Sequence, residues 1–260
     1  MKLSKKYLIP TVLGFLGLSS PTFAAAPTGI SNYTPNNHGK SVTTPVAWGA
    51  SNNVVFMGAG GTYQSPYSDK GDGAAALGFG LGDPKKNVGV QVTFISLDLT
   101  EWEEYSSAIH ISRNLGNADA IGFGVENIML TDGGDSDVSY YVVYSRASQD
   151  PSVINPKTNK SKLHYSVGVG KGRFSDMSPD DTSHGKGEHG TYVFGNVSYE
   201  VFDTCNLITD WNGMNLNAGV SKSFMVEKIP FAVTVGVADL TGYSGDGARL
   251  VVGGGFGFKL

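Results

Sequence analysis

The chain carries a single cysteine, Cys205. One thiol excludes an intrachain disulfide and a cysteine-built metal centre. Long apolar runs are almost as scarce. The one near the amino terminus, residues 7–18, is too short for the ~20 apolar residues of a membrane-spanning helix and is broken by Ser19-Ser20-Pro21. Basic residues are few: 19 Lys and Arg against 23 acids give a net charge of −4. Removing Lys2, Lys5 and Lys6 with the first 24 residues, which hold no acid, takes this to −7. Such a chain presents no basic face for phosphates, so nucleic acid is excluded as a partner. Helical periodicity is missing too, since no later stretch repeats its apolar residues at 3.6. A chain without disulfides or helices must be held by a sheet core or by lipid.

What is present begins with an export leader. The three lysines, the apolar run and Thr22-Phe23-Ala24 read as a signal peptide over residues 1–24, cleaved after Ala24. Residues 25–53 are polar, contain prolines and lack a clear period. They read as a flexible leader, or as a segment tucked into the mouth of whatever follows, with 42–48 as a short additional strand. Glycine then supplies 36 of 260 residues, well above the average of about 7%. The glycines sit inside alternating apolar runs, where they serve strands that coil tightly or whose backbones face a narrow interior.

From Val54 the side chains alternate with period two. Strands are expected over 54–63, 73–82, 87–96, 104–113, 118–127, 137–147, 162–172, 190–202, 205–211, 214–224, 229–239 and 248–260, twelve in all. Val88, Val90, Val92 and Phe94 alternate with Gly89, Gln91 and Thr93, and Phe231, Val233, Val235 and Val237 with Ala232, Thr234, Gly236 and Ala238. One face is apolar and the other small or polar. A water-facing sheet would place charges on its outer side, which argues against a secreted β-sandwich. Only 190–202 resists assignment, because Tyr192 and Phe194 share parity with Asn196, Ser198 and Glu200. Connections at 83–86, 114–117, 203–204 and 225–228 are short. Those at 64–72, 97–103, 128–136, 174–189 and 240–247 are longer. Two break the alternation: 148–161 is long on the short-turn side, and Asn212-Gly213 is a two-residue hairpin turn on the long-loop side.

The leader, the alternating strands and the ending Gly255-Phe256-Gly257-Phe258-Lys259-Leu260 together resemble bacterial outer-membrane β-barrel proteins of porin-like type. The resemblance implies an all-β fold, a transmembrane antiparallel up-and-down barrel of about 12 strands over residues 54–260, in the cell outer membrane. Gly255, Phe256, Phe258 and Leu260 resemble the signal read by the barrel-assembly machinery, although a final Phe is usual and this chain ends in Leu. A narrower likeness covers Asp210-Trp211-Asn212-Gly213-Met214-Asn215-Leu216-Asn217-Ala218-Gly219, which looks like a hairpin of exopolysaccharide-associated outer-membrane barrels. The expected function is a porin-like channel for small solutes. A structural or surface-interaction barrel is the alternative, and a lipid-modifying enzyme a third. Membrane lipid, the assembly machinery and a small solute are the implied partners; no cofactor is expected.

Candidate site residues follow from parity. Gln91, Glu104, His110, Glu126, His164, Asn215, Asn217, Arg249 and Lys259 are expected to line the lumen, with Asn196 and Glu200 beside them; Arg249 and Lys259 fall at opposite rims. His110 and Ser112 with Glu126 match a His-x-Ser pair of lipid A deacylases, His as base and Glu as its orienter. Ile109 and Ile111 claim the lipid side of that strand, so a polar lumen lining is the expectation and catalysis is not. Asp176, Asp180, Asp181, His184, Glu188 and His189 could gather a divalent ion, but their spacing fits no known metal motif and a solvated loop accounts for them. Gly-x-Gly-x-Gly at 78–82 and 168–172 lacks a strand-to-helix context for phosphate. Tyr63, Tyr105, Tyr140, Tyr144, Tyr165 and Tyr199 are expected at the membrane interfaces.

Overall fold

Because the carboxyl-terminal stretch needs a partner on each edge, the question the structure answers first is what pairs with it. A computed structural model describes residues 41–63, 72–97, 104–131, 138–177, 179–185, 187, 189–227, 229–245 and 247–260. The expected signal peptide over 1–24, the rest of the expected leader up to residue 40 and the centres of three long loops lie outside the described residues.

Fourteen strands appear among the described residues: β1 (Val54–Tyr63), β2 (Asp72–Gly82), β3 (Gly89–Ser96), β4 (Tyr105–Gly116), β5 (Asp119–Met129), β6 (Ser139–Ala147), β7 (Ile154–Asn155), β8 (Lys160–Ser161), β9 (Leu163–Lys171), β10 (Val193–Phe202), β11 (Cys205–Trp211), β12 (Leu216–Val226), β13 (Ile229–Ala238) and β14 (Arg249–Lys259). Twelve form one sheet, in which from β2 to β14 each strand pairs antiparallel with the next of the twelve, β6 with β9, while β7 and β8 make a separate hairpin. β14 pairs with β13 on one edge and β1 on the other, so that Phe256 faces Phe231 and Met57. β1 in turn lies beside β2, which closes the sheet into an antiparallel up-and-down barrel. Closure leaves no backbone edge unpaired, the condition for a sheet to cross a hydrocarbon layer.

The outer face follows the expected parity. Leu77, Phe79 and Leu81 on β2, Ile109 and Ile111 on β4, Val167 and Val169 on β9, and Val233, Val235 and Val237 on β13 are all exposed. In water so large an apolar surface would drive association; in a bilayer it is the lipid-facing band. Tyr63, Tyr105 and Tyr140 stand near one end of the band, Tyr165 and Tyr199 near the other, all exposed. This is the anatomy of a barrel that crosses a membrane.

The two irregular connections are real features of the chain. Residues 148–161 fold into a 3-10 turn at Pro151–Val153, capped by Asp150, and the β7–β8 hairpin, which lies against the end of the barrel where Asn155 donates to Glu200 Oε1 at 3.1 Å. Asp150 accepts from both the amide and the hydroxyl of Ser152, which holds its carboxyl below the ordinary value. At the opposite end, Asn212 Oδ1 accepts from the amides of Met214 and Asn215, while Gly213 takes φ +103, which L side chains rarely adopt.

β10 is now assigned. Phe194, Asn196, Ser198 and Glu200 face inward and are buried. Tyr192 precedes the strand at φ +64, which takes it out of the alternation and leaves it exposed.

Candidate functional site

Residues 41–53 enter the barrel at its loop end and run down the lumen to the start of β1. No strand forms over 42–48; the segment is irregular and its polar backbone groups are met one at a time by side chains of different strands. At the loop end Asp210 accepts from the amides of Val42 (2.6 Å) and Thr43 (2.9 Å) and from the Thr43 hydroxyl (3.1 Å). Asn217 donates to the same carboxylate at 2.6 Å and to Thr43 Oγ1 at 3.0 Å. Arg173 donates to Thr43 O at 3.2 Å while its Nε holds Glu126 at 2.7 Å. Deeper in, Asn196 donates to Thr44 Oγ1, and the Ala47 amide donates to Ser145 Oγ. His110 Nε2 lies 3.3 Å from Ala47 O and Nδ1 lies 2.9 Å from the Tyr141 hydroxyl. A carbonyl only accepts, so in a neutral ring Nε2 carries the hydrogen and Nδ1 accepts from Tyr141. Nearer β1 the Ala50 amide donates to Gln91 Oε1 at 2.7 Å, and the Asn52 amide to Gly82 O.

Apolar packing completes the filling. Val46, Ala47 and Trp48 pack with Ala120, Tyr141, Val143, Phe174 and Phe194 in one buried cluster. Phe174 and Phe194 stack at 4.4 Å, and the Arg173 guanidinium lies 4.2 Å from the Phe174 ring centroid. Trp48 meets His164 edge-on. The inner glycines make this possible. Gly124 stands directly opposite Tyr141, and Gly168 opposite Phe194. A Cβ on either would come within 2.1 to 2.2 Å of the facing ring. Gly80 is filled by the backbone of Ala50 in the same way. Glycine here is space cut out of the wall for the residues that occupy the lumen.

The expected lumen residues separate into two groups. Gln91, His110, Glu126, His164, Asn196, Glu200 and Asn217 are buried inside the barrel. Four of these, Gln91, His110, Asn196 and Asn217, hydrogen-bond to residues 43–50, and Glu126 reaches the segment through Arg173. Rim positions go to Glu104, Asn215, Arg249 and Lys259. Asn215 binds the loop after β13, accepting from Thr241 and Tyr243 and donating to Ser244. Arg249 pairs with Asp239 at 2.7 Å. Lys259 is exposed at the turn end. The carboxyl-terminal positions keep their parity: Phe258 and Leu260 are exposed and Phe256 partly so, with the Leu260 amide donating to Asn53 O.

The His-x-Ser pair is not assembled. Both His110 nitrogens are engaged elsewhere, and the Ser112 hydroxyl, buried inside the wall, has no hydrogen-bond partner among the described residues. Residues Pro179–His184 of the acidic loop form a short helix, and among the described residues no group of three or more His, Cys, Asp or Glu is placed to hold a metal ion.

Asp210, Arg173 and Tyr141 carry much of the lumen network, and parity alone did not single them out. Asp210 shares the inner face of β11 with Asn206 and Ile208, an acid where only small or polar lining was sought. Tyr141 and Phe194 had a signal of their own: an inward aromatic directly across from an inward glycine.

No protein-family model and no curated protein matches the chain. Among solved structures it is similar to the KdgM porin, at 10% identity and TM-score 0.49 over 80% of this chain and 99% of that one. It is similar as well to the NanC porin, at 10% identity and TM-score 0.46 over 79% of this chain and 100% of that one. Outer membrane phospholipase A from Escherichia coli matches at 10% identity and TM-score 0.39, over 79% and 95% of the two chains. At such identities the likeness is one of barrel architecture.

Proposed function

We propose that this chain is an integral outer-membrane barrel that passes small solutes, porin-like, through a lumen narrowed by its own residues 41–53. The observation that carries the reading is the inner wall. Thr93, Ser106, Ser145, Ser166, Ser198 and Ser221 face inward beneath an exterior that is almost wholly apolar. A lumen lined by hydroxyl and amide groups suits water and polar solutes, whereas a barrel built only as a rigid post could be packed with hydrocarbon. The lumen segment sets the scale: it occupies the axis, so conduction is that of a restricted bore. The apolar belt suits membrane lipid as its surroundings, and Gly255, Phe256, Phe258 and Leu260 suit recognition by the assembly machinery during biogenesis.

The test is conductance of the folded, purified protein in a planar bilayer, compared with a variant in which the segment is unlatched, Asp210→Ala with Asn217→Ala. Small steps for the native chain and larger or fluctuating steps for the variant are expected. Silence from both proteins, with heat-modifiable folding intact, overturns the channel reading. It would favour a structural or surface-interaction barrel, for which a lumen filled by the chain itself is the supporting observation.

A further inference from the structure

The lipid-facing wall carries one cation that its own strand pattern does not call for. The outward positions of β4 run Ile109, Ile111, Arg113 and Leu115, all exposed, while Ser112 and Asn114 between them are buried. Arg113 thus stands on the outer face with an apolar residue on each side along its strand. Leu115, on the turn side of it, is 55% exposed, so the guanidinium leaves the wall at the edge of the apolar band. A lipid-facing arginine is tolerated near the interface, where its head can reach charged or hydrated groups.

Two other cations share that face near the turn end, and the protein satisfies both. Arg146 on β6 holds Asp119, its register partner on β5, at 3.3 Å. Lys222 on β12, between exposed Val220 and Phe224, donates to the Asp203 carbonyl. Among the described residues Arg113 meets no hydrogen-bond or ion-pair partner. The outward acid of the adjoining strand is the same Asp119 that Arg146 holds.

The β2–β3 turn lies beside Arg113. β3 starts at Gly89, paired with Ser112, and beyond that point the turn itself bonds β4, the Asn114 amide donating to Pro84 O at 2.9 Å. Lys85 and Lys86 are exposed there. Asp83 accepts from the Lys85 amide at 2.9 Å and lies 4.0 Å from Lys86 Nζ, a pair open to solvent. Over 83–88 and 111–116 three cations stand against one acid. Exposed Leu81, Val88 and Ile121 border this corner, Ile121 as the register partner of Arg113.

We infer that this corner, at the turn end of β2 to β4, is a binding site for an anionic glycerophospholipid of the turn-side leaflet. Arg113 takes the phosphate. Lys85 and Lys86 hold the negative headgroup in their field, and Ile111, Leu115 and Val88 lie along the acyl chains. A guanidinium matches two oxygens of one phosphate and is less strongly hydrated than an ammonium. Basic residues at a membrane surface attract anionic lipid. A zwitterionic lipid brings the same phosphate with a cation attached, which the two lysines disfavour. The site is on the outer wall and stands whether or not the lumen conducts.

The test is native mass spectrometry of the full folded barrel, released from micelles holding phosphatidylglycerol and phosphatidylcholine in equal amount. The readout is the ratio of the two lipids on folded barrels, which a loss of folded protein does not move. The native chain should retain phosphatidylglycerol in preference. Arg113→Gln should lower that preference about fivefold, and Arg113→Lys should fall between. Lys85→Gln with Lys86→Gln should lower it as well. Asp119→Asn with Arg146→Gln removes a pair whose charges offset each other and should leave it unchanged. Equal retention of the two lipids by the native chain overturns the site, as does a native preference in Arg113→Gln or an equal loss in the Asp119→Asn, Arg146→Gln variant. Displacement of the lipid by inorganic phosphate at matched concentration would assign the corner to a free anion and overturn the lipid.

Discussion

Replacing Asp210 by alanine should release the loop end of the lumen segment while leaving the barrel closed. The carboxylate accepts four hydrogen bonds, from the Val42 and Thr43 amides, the Thr43 hydroxyl and Asn217. One of those donors has other recourse, because Asn217 still reaches Thr43 Oγ1 and Asn215 O. The two amides do not, and a buried donor left unsatisfied costs about 1 to 3 kcal/mol. Taking a low total of about 3 kcal/mol, local opening of the segment becomes about 150-fold more frequent. Asp210→Asn keeps an acceptor oxygen for the amides and loses the charge, so its effect should be about half as large in free energy. Hydrogen exchange of the folded barrel, followed by mass spectrometry, reads this directly. Amides 42–44 should lose protection in Asp210→Ala, the strand amides should not, and Asp210→Asn should fall between. Native protection at 42–44 in the alanine variant would refute the latch, as would a loss spread evenly over the strands.

Gly168→Ala should destabilise by about 1 to 3 kcal/mol, as overpacking of a filled wall does, whereas Gly253→Ala should stay within about 0.5 kcal/mol; urea unfolding followed by heat-modifiable mobility separates the two. Arg173→Ala strips Glu126 of its 2.7 Å partner in a buried site and should cost about 3 to 5 kcal/mol, with Glu126→Gln restoring part of it in the double variant. Asp150 offers a pH test. Its carboxyl is held low by Ser152, so the bonds that cap the 3-10 turn are fully present above the unfolded value of about 3.9 and disappear as pH falls through the lower folded value. NMR titration of the Ser152 amide should therefore give a midpoint below about 3.9, and a midpoint at or above it would remove Asp150 from that role.

Parity made the barrel legible and left its contents obscure. A side chain that faces lipid must be apolar at every second position, so Val233, Val235 and Val237 announce both a strand and its outer face. Twelve such strands set the closure. Nothing comparable constrains residues 41–53. An irregular segment inside a polar lumen obeys no period, and its partners lie on strands far apart in sequence: Asp210 meets Val42 and Thr43, Ser145 and His110 both meet Ala47, and Gln91 meets Ala50. The same physics explains the ambiguity at β10. Its inner face carries Phe194 because that ring fills the notch at Gly168, a relation between two strands that neither shows alone. His110 was legible as inward and polar, but its engagement with Ala47 and Tyr141 was not, since both partners depend on the segment being there.

The position of the lumen segment has a consequence for how the barrel is assembled. Residues 41–53 lead directly into β1, and β1 forms the closing seam with β14. Val42 and Asp210 are separated by 168 positions. Strand hairpins can zip locally as they emerge, but these contacts cannot form until β11 and β12 have been laid down around the segment. Closing the seam with the segment outside would leave Asp210 without the Val42 and Thr43 donors that bond it, and Arg173 without the Thr43 carbonyl. Filling and closure are therefore coupled in one late step of high contact order, and slow to reach. A variant that weakens the latch should show its kinetic signature there, in the rate at which the last seam closes, with the earlier pairing of strands unaffected.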